Sequence, residues 1–300
     1  MLTWKNAHRK LDGDACGDGM DGMEDRIYLL WIGELLREKP EAQEKQDIWE
    51  RQRVQEIQDA QEVLAQKVAG WIDGTRRQKA ARMRTEGARA ACMGAGLLLQ
   101  KGMADYLYRG DSPTAAPGSQ ACRILRLEVS QLLEELETQL SAPVPLSYTY
   151  GPQGKPYLAG GPFFFSLSHS GDYVLCAVSG QEVGADIQKM QQADYGKLAS
   201  RFFAGEECRL LEQCRSEEDR RMLFYWLWTR KEALGKLTGR GVAKVLARSV
   251  CGKPVDSGKI PGGGQETGDA PGASALCWTK VPCPSGYQAA VCTGYYNWEL

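Results

Sequence analysis

The stretch that most constrains the fold is FFFSLSHSGDYVLCAVSGQEVGADIQ, residues 163–188. It contains two strand-like runs around a tight polar turn at Gly171 and Asp172, and a third short run follows at 182–188. Strands that are close in sequence and joined by short turns favour antiparallel pairing. A chain built around this stretch therefore needs a small sheet and helices that cover it.

Strand and helix patterns alternate along the rest of the chain. RIYLLWI (26–32) predicts a first strand, and apolar residues at helical spacing predict an amphipathic helix between Pro40 and Trp71. We expect this helix to pack on its own domain, with a partner-binding coiled coil as the alternative. The remaining predicted helices are at 75–103, 124–140 and 194–240, and the remaining predicted strands are LSYTYGPQGKPYL, ALCWTKV and YQAAVCT, the last two as a closing hairpin.

These patterns predict an α+β fold of two similar-sized, pseudo-symmetric halves, each a small, mainly antiparallel sheet packed with helices. The first half covers 26–165 and includes a Gln-rich helical extension at 38–68. The second half covers 166–300, carries the candidate catalytic motifs and includes a Gly- and Pro-rich loop at 251–274. Residues 1–25, rich in Gly and Asp, are predicted to be a disordered tail.

Composition limits the classes of function. The chain has 300 residues and a net charge of −1, so no global field favours nucleic acid. No apolar run is long enough to span a membrane, and the N-terminus lacks a secretory pattern, so we expect a cytoplasmic protein without a membrane partner. Ten cysteines without a CxxC pair, and only two histidines, favour free, mostly buried thiols over a zinc site.

The stretch FYWLWTRKEALGKLTGRGV, residues 224–242, combines aromatic, acidic and basic side chains on one predicted helix. Trp228, Glu232 and Lys236 follow one another at intervals of four residues and share one helix face. Alone, this spacing is typical of a solvated face with a Glu–Lys pair. An aspartate at a strand end or a histidine between serines is equally unspecific when it is taken singly.

Together, three motifs in this order are specific. SLSHSGDY (166–173), VGADIQ (183–188) and WTRKEALGK (228–236) resemble the pattern of the 4′-phosphopantetheinyl transferases of the surfactin-synthetase-activating type. GKPYL (154–158) matches the G-K-P segment of that family, and RRQKAARMR fits its basic N-terminal helix. The resemblance covers residues 26–300, apart from the Gln-rich extension and the loop at 251–274.

The resemblance implies a reaction and its catalytic residues. Such enzymes move 4′-phosphopantetheine from coenzyme A to a serine of an apo carrier protein and release 3′,5′-ADP. Mg²⁺ neutralises the pyrophosphate and takes hard oxygen ligands, for which Asp186 and Glu232 are the matching carboxylates. Glu232 would face the metal and the serine, and Lys236 would face the phosphate. Trp228 would form a wall of the site, and the resemblance counts Lys231 with the catalytic residues. Gln188 stands where many members carry a second acid, and either its amide or a water would complete the metal shell.

The resemblance also implies a coenzyme A site. Ser168 and His169 would contact phosphates, and Lys155 and Pro156 would border the adenine and the 3′-phosphate. Arg89 matches an arginine for the 3′-phosphate. The basic helix offers further candidates, for which a plain solvated face is an equal alternative: Arg76, Lys79 and Arg82.

The expected macromolecular partner is a small acidic carrier protein, bound by a monomer through basic and apolar contacts near the junction of the halves. The carrier could belong to fatty-acid, polyketide or peptide synthesis, and the residues do not choose among these. One alternative is a non-catalytic coenzyme A or carrier-protein binding module on the same fold, which the retained Asp186, Glu232, Lys231 and Lys236 argue against. A nucleic-acid binder using RRQKAARMR is disfavoured by the near-zero net charge.

Overall fold

The computed structural model describes residues 25–36, 48–108, 122–251, 266–267 and 276–294. The strands of these ranges are β1 (Asp25–Trp31), β2 (Cys122–Glu128), β3 (Tyr148–Tyr150), β4 (Pro156–Leu158), β5 (Phe164–Ser170), β6 (Tyr173–Ser179), β7 (Val183–Lys189), β8 (Glu266–Thr267), β9 (Cys277–Lys280) and β10 (Tyr287–Thr293). The α-helices are α1 (Ile48–Trp71), α2 (Gly74–Ala81), α3 (Glu86–Leu107), α4 (Val129–Gln139), α5 (Tyr195–Phe202), α6 (Gly205–Glu212) and α7 (Glu217–Leu237). The predicted α+β class is confirmed.

The first sheet has the strand order β2-β1-β6-β5. β1 pairs antiparallel with β6, and β6 pairs antiparallel with β5 across a turn where Gly171 has a φ of +53°. That left-handed conformation is open to glycine at little cost, so the polar turn expected from the sequence forms as a tight one. Buried residues of α3 and α4 pack with this sheet in the largest core cluster.

The helix predicted for 124–140 is wrong in its first part. Residues 122–128 form β2, which pairs in parallel with β1 along its whole length. The helix α4 begins only at Val129, because the carboxylate of Glu34 accepts hydrogen bonds from the backbone N–H groups of Val129 (2.7 Å) and Ser130 (3.1 Å). A residue far away in sequence thus supplies the cap that fixes the start of this helix.

The second sheet has the order β7-β10-β9-β8, and every described pairing in it is antiparallel. The predicted strand at 182–188 and the predicted closing hairpin correspond to β7 and to the pair β9–β10. The strand β8 lies inside the loop predicted for 251–274; the other residues of that loop beyond Cys251 lie outside the described residues.

The predicted boundary between halves at residue 165 passes through β5. Both β5 and β6 follow that boundary almost entirely, yet they belong to the same sheet as β1. The first sheet therefore takes strands from both sides of the predicted boundary. The division into two pseudo-symmetric halves stays a prediction.

The amphipathic helix α1 packs on the first core through its C-terminal part. Val68 is fully buried, Leu64 is partly buried against the same cluster, and the Gln61 amide donates to the carbonyl of Leu36 at 2.8 Å. Trp49, near the other end, is 78% exposed. Of the tail predicted for 1–25, Asp25 instead begins β1, and residues 1–24 lie outside the described residues, as does the first part of the Gln-rich extension, 38–47.

Two chemical features of the described ranges bear on function. None of their helices combines the length and the hydropathy needed to cross a membrane. The nine cysteines in the described part of the chain are free thiols, as expected. Of these, only Cys92, Cys176 and Cys292 are buried and the other six are partly exposed, so the expectation that most would be buried is wrong.

Candidate active site

Alternate serines of β5 join the edges of the two sheets. Ser166 Oγ accepts a hydrogen bond from the Ala185 N–H (2.9 Å), and Ser170 Oγ accepts one from the Lys189 N–H (2.9 Å). Between them, Ser168 Oγ donates to Asp186 Oδ1 at 2.7 Å. Because every second residue of a strand faces the same side, the pattern S-x-S-x-S gives β5 one polar face along β7.

Asp186 is the centre of the site and is only 2% exposed. Lys236 Nζ lies 2.8 Å from its Oδ1 and also donates to the Ala185 carbonyl at 3.0 Å. The Gln188 amide donates to Oδ2 at 3.0 Å. The buried carboxylate is thus held by one cation and two neutral donors, which offsets the cost of removing its charge from water.

Gly184 lets α7 come close enough to β7 for this contact. A Cβ built on Gly184 would lie 1.9 Å from the Ala233 carbonyl oxygen and 2.5 Å from the Leu237 nitrogen, both in the helix backbone. Only a residue without a side chain fits there. This close approach brings the polar face of α7 onto the strand that carries Asp186.

Glu232 lies one turn before Lys236 on the same face of α7 and is half-buried. Burial raises the pKa of Glu232, the negative charge of Asp186 raises it further, and the ammonium of Lys236 lowers it. Two carboxylates with one cation beside them leave an excess of negative charge in a partly desolvated place. A site with this charge can bind a cation, and its carboxylate can accept a proton.

Glu232 and Lys236 open into a cleft of about 330 Å³. Its walls come from β4, β5, the end of α7 and the residues that follow α7, and they include Lys155, Pro156, Leu167, Gly239, Gly241 and Val242. A second cleft of about 530 Å³ adjoins it and shares Gln153 and Gly239. Three of its lining residues are basic: Arg240, Lys244 and Arg248.

The ammonium of Lys155 is turned toward the protein. It lies 2.5 Å from Glu182 Oε2 and donates to the carbonyls of Val183 (3.2 Å) and Leu237 (2.9 Å). Burial lowers the pKa of Lys155, although its ion pair with Glu182 opposes this. Lys155 therefore ties β4 to β7 and α7, and its charge is already paired, while its neighbour Pro156 lines the cleft.

The candidate residues for the 3′-phosphate lie on β5, α2 and α3. His169 lies at the end of β5, where its side chain is exposed to solvent but still partly surrounded by protein. This partial desolvation is the main cause that lowers the pKa of His169, and the positive charges of Lys236 and Lys79 lower it further. Lys79 is exposed on α2, and Arg76 on the same helix lies 5.9 Å over the Tyr148 ring. Arg89 is exposed in the first turn of α3, as is Arg82 at the end of α2.

Two residues of the α7 motif lie away from the cleft. Lys231 is completely buried in an ion pair with Glu207, so the structure does not bring it together with Asp186 and Glu232. Trp228 stacks on Phe224 at 5.9 Å and packs beside Phe203, and it is not among the described residues that line the cleft. Helical rotation turns Lys231 away from its neighbour Glu232. Trp228 shares the face of Glu232 but lies one turn earlier along the helix, where it packs against Phe203 and Phe224.

Sequence reasoning missed several residues that shape the site. Ser166, Ser170, Glu182 and Glu207 are all hydrogen-bonded to the site's elements or to its lysines. Only the serines had a local signal, their alternation along β5. Glu182 and Glu207 pair with lysines that are far away in sequence, so no local pattern predicts these contacts.

Comparison with known proteins supports the resemblance drawn from the motifs. The model of the 4′-phosphopantetheinyl transferase superfamily matches residues 182–292, which include β7, α7 and β10. This part of the chain is similar to the 4′-phosphopantetheinyl transferase superfamily. The resemblance drawn from the motifs is confirmed, and Asp186, Glu232 and Lys236 all lie inside the matched region.

Individual relatives agree with the family model. A protein named putative 4′-phosphopantetheinyl transferase from Synechocystis sp. is 40% identical over 146 residues, 46% of this chain and 57% of the relative. The 4′-phosphopantetheinyl transferase psf-1 of Bacillus pumilus is 37% identical over 47% of this chain and 57% of its own length. The 4′-phosphopantetheinyl transferase Sfp of Bacillus subtilis is 31% identical over 47% and 60%. The chain spans somewhat more than half the length of these transferases.

Proposed function

We propose that this protein transfers the 4′-phosphopantetheine group from coenzyme A to a serine of an apo carrier protein and releases 3′,5′-ADP. The observation that carries the proposal is that Glu232 and Lys236 line one cleft, with the buried Asp186 in contact with Lys236 behind it, inside the region that matches the superfamily. The alternative, a non-catalytic binding module, does not need two carboxylates and a lysine kept together at such an electrostatic cost.

We propose Mg²⁺ as the cofactor, held by Asp186 and Glu232 with the Gln188 amide oxygen or a water. These residues fit a hard cation, because they offer oxygen donors in a place where excess negative charge raises the pKa of Glu232. The described residues contain no group of three or more His, Cys, Asp or Glu side chains that could hold a metal, so a neutral ligand must complete the set. When bound, the ion neutralises the charge of the pyrophosphate.

The chain's own residues supply the proton transfer and the charge stabilisation. The carrier serine oxygen forms the new bond to phosphorus, and the bond from that phosphorus to the oxygen of 3′,5′-ADP breaks. Glu232, whose raised pKa favours proton uptake, accepts the proton of the serine hydroxyl. Lys236 stabilises the negative charge that develops on the departing phosphate.

The basic residues of α2 and α3, together with His169, suit the nucleotide end of coenzyme A. We propose that Ser168 and His169 contact its phosphates, that Arg89, with Arg76 and Lys79, holds the 3′-phosphate, and that Pro156 borders the adenine. His169 and Lys79 are close enough for the charge of one to affect the other. For Lys155 we propose that its aliphatic stem borders the ligand, because its ammonium is paired with Glu182.

The adjoining basic cleft suits the carrier protein. Its side chains Arg240, Lys244 and Arg248 surround a hollow that shares Gly239 with the catalytic cleft. Opposite charges steer encounter and fix register, so an acidic carrier docked here would present its serine toward Glu232. We propose that the protein does so as a monomer of two pseudo-symmetric halves, in the cytoplasm, on a carrier of fatty-acid, polyketide or peptide synthesis.

Mass spectrometry of apo carrier proteins tests the activity. A carrier of each of the three classes is incubated with the protein, coenzyme A and Mg²⁺, and we expect at least one to gain the mass of one phosphopantetheine group. EDTA, and separately Glu232→Gln, should abolish that gain. If no carrier is modified although coenzyme A binds in calorimetry, the non-catalytic alternative is the correct one.

A further inference from the structure

A second ion pair lies on the buried side of α7, at the residue that precedes Glu232. Lys231 Nζ and Glu207 Oε2 are 2.6 Å apart, and both side chains are completely buried. An isolated buried ion pair rarely adds net stability, because desolvation of both charges offsets their attraction. Its presence beside Glu232 therefore calls for a role other than general stability.

The pair is bonded to the backbone of the chain that follows α7. Lys231 Nζ donates to the carbonyls of Leu246 (2.8 Å) and Arg248 (2.5 Å). Glu207 Oε1 accepts from the Val250 N–H at 2.9 Å, and its Oε2 accepts from the Ala204 N–H at 3.0 Å. Three backbone groups within 246–250 thus find their partners in two side chains of α6 and α7.

We call residues 238–250 the exit segment. Its one regular element is the short 3₁₀ turn Val242–Lys244. Near its start it packs against Gly235, where an added Cβ would lie 2.8 Å from both the Cα and the N of Val242. The exit segment is therefore fixed by close packing near its start, by the core residues Val245 and Val250, and near its end by the ion pair together with the hydrogen bond from Arg230 to the Val250 carbonyl.

The exit segment forms walls of both clefts. Gly239, Gly241 and Val242 line the catalytic cleft, and Arg240, Lys244 and Arg248 line the basic one. The backbone hydrogen bonds within the exit segment are turns between residues 241 and 248, so its position relative to the core depends on other groups. The ion pair supplies such groups from the buried side of the exit segment.

We propose that Lys231 and Glu207 are positioning residues, which hold the exit segment as the shared wall of the two clefts without touching substrate. Apolar replacements of both would keep the packing but leave the carbonyls of Leu246 and Arg248 and the N–H of Val250 without these partners. The wall would then loosen while the core stays folded. The anchoring of the exit segment does not depend on the proposed function; only the identity of the substrate that contacts this wall rests on it.

Limited proteolysis tests the anchoring without any activity assay. Trypsin cleaves after Arg240, Lys244 and Arg248, so cleavage within the exit segment reports its opening. In the double variant Glu207→Leu/Lys231→Met we expect cleavage at these three sites, mapped by mass spectrometry, to be at least about tenfold faster, with a Tm within about 5 °C of the parent.

The matched control is Lys101→Met, which removes another buried lysine. Its ammonium pairs with Asp105 at 2.7 Å and with Glu135 at 3.2 Å in the first core. It should lower the Tm without accelerating cleavage in the exit segment. A folded double variant that is cleaved at the parental rate overturns the proposal.

If the double variant does not fold, hydrogen exchange in the single variant Glu207→Gln decides. The amide of Val250 should exchange at least about tenfold faster in that variant than in the parent. Unchanged exchange overturns the proposal.

Kinetics of the double variant then test the role of the wall. Asp186, Glu232 and Lys236 keep their own contacts, so kcat should stay within about threefold while KM for coenzyme A rises at least about tenfold. An open exit segment with an unchanged KM would overturn the positioning role. If the parent protein itself modifies no carrier, the proposed function fails, and coenzyme A affinity by calorimetry replaces KM in the same comparison.

Discussion

Lys236→Met is the substitution that best separates catalysis from fold. It keeps most of the stem but removes the ammonium that lies 2.8 Å from Asp186 Oδ1 and 3.0 Å from the Ala185 carbonyl. The carboxylate is 2% exposed and the lysine side chain 31% exposed. The lysine therefore neutralises a buried charge from the edge of the cleft.

The stability cost follows from that geometry. Asp186 keeps its hydrogen bonds from Ser168 and Gln188 but loses a charged one, which costs about 1.5–3 kcal/mol. In a domain of this size each kcal/mol corresponds to about 2–4 °C, so the Tm should fall by roughly 3–12 °C. A solvated Glu232–Lys236 pair would contribute only about 0.3–0.5 kcal/mol and hardly move the Tm.

The effect on activity should be larger and of a different kind. If Lys236 stabilises the departing phosphate, its loss should lower kcat by about 10²–10³, while KM for coenzyme A changes by less than about threefold. Lys236→Arg keeps the charge but not the geometry or the ease of proton donation, and it should recover only part of the rate.

The assay measures kcat by mass spectrometry of the carrier and Tm by calorimetry on one preparation. Lys197→Met, at an exposed lysine of α5, is the matched control and should change neither quantity. A Lys236→Met protein with nearly full kcat would refute the assignment of Lys236 to the reaction. A Tm within about 1 °C of the parent would refute the stability argument separately.

Three further predictions concern the fold, the metal and coenzyme A. Gly184→Ala should cost about 3 kcal/mol or more, measured by denaturant unfolding, because its Cβ meets the helix backbone, whereas Gly205→Ala, with open space around it, should be neutral; equal stabilities would contradict the close approach. Gln188→Glu should tighten Mg²⁺ binding in a calorimetric titration, and an unchanged titration would place Gln188 outside the metal shell. Dephospho-coenzyme A should bind about tenfold or more weakly than coenzyme A, a preference that Arg89→Ala should reduce; equal binding of both by the parent would contradict the 3′-phosphate site.

The sequence by itself determined which elements carry the site. The period of α7 places Glu232 and Lys236 on one face, and the strand pattern around Asp186 places it on β7, because both depend only on local backbone geometry. The α+β class, the hairpin β5–β6 and the closing hairpin follow from local patterns in the same way.

The tertiary structure alone decided which partner each charged side chain has. Lys236 pairs with Asp186 of β7, 50 residues away, and Lys231 turns into the core to meet Glu207. Residues 124–128 are predicted as the start of a helix but belong to the strand β2, because β1 offers them a parallel partner. Long-range contacts of this kind depend on how the elements pack against one another, and the spacing of residues along the chain does not predict that packing.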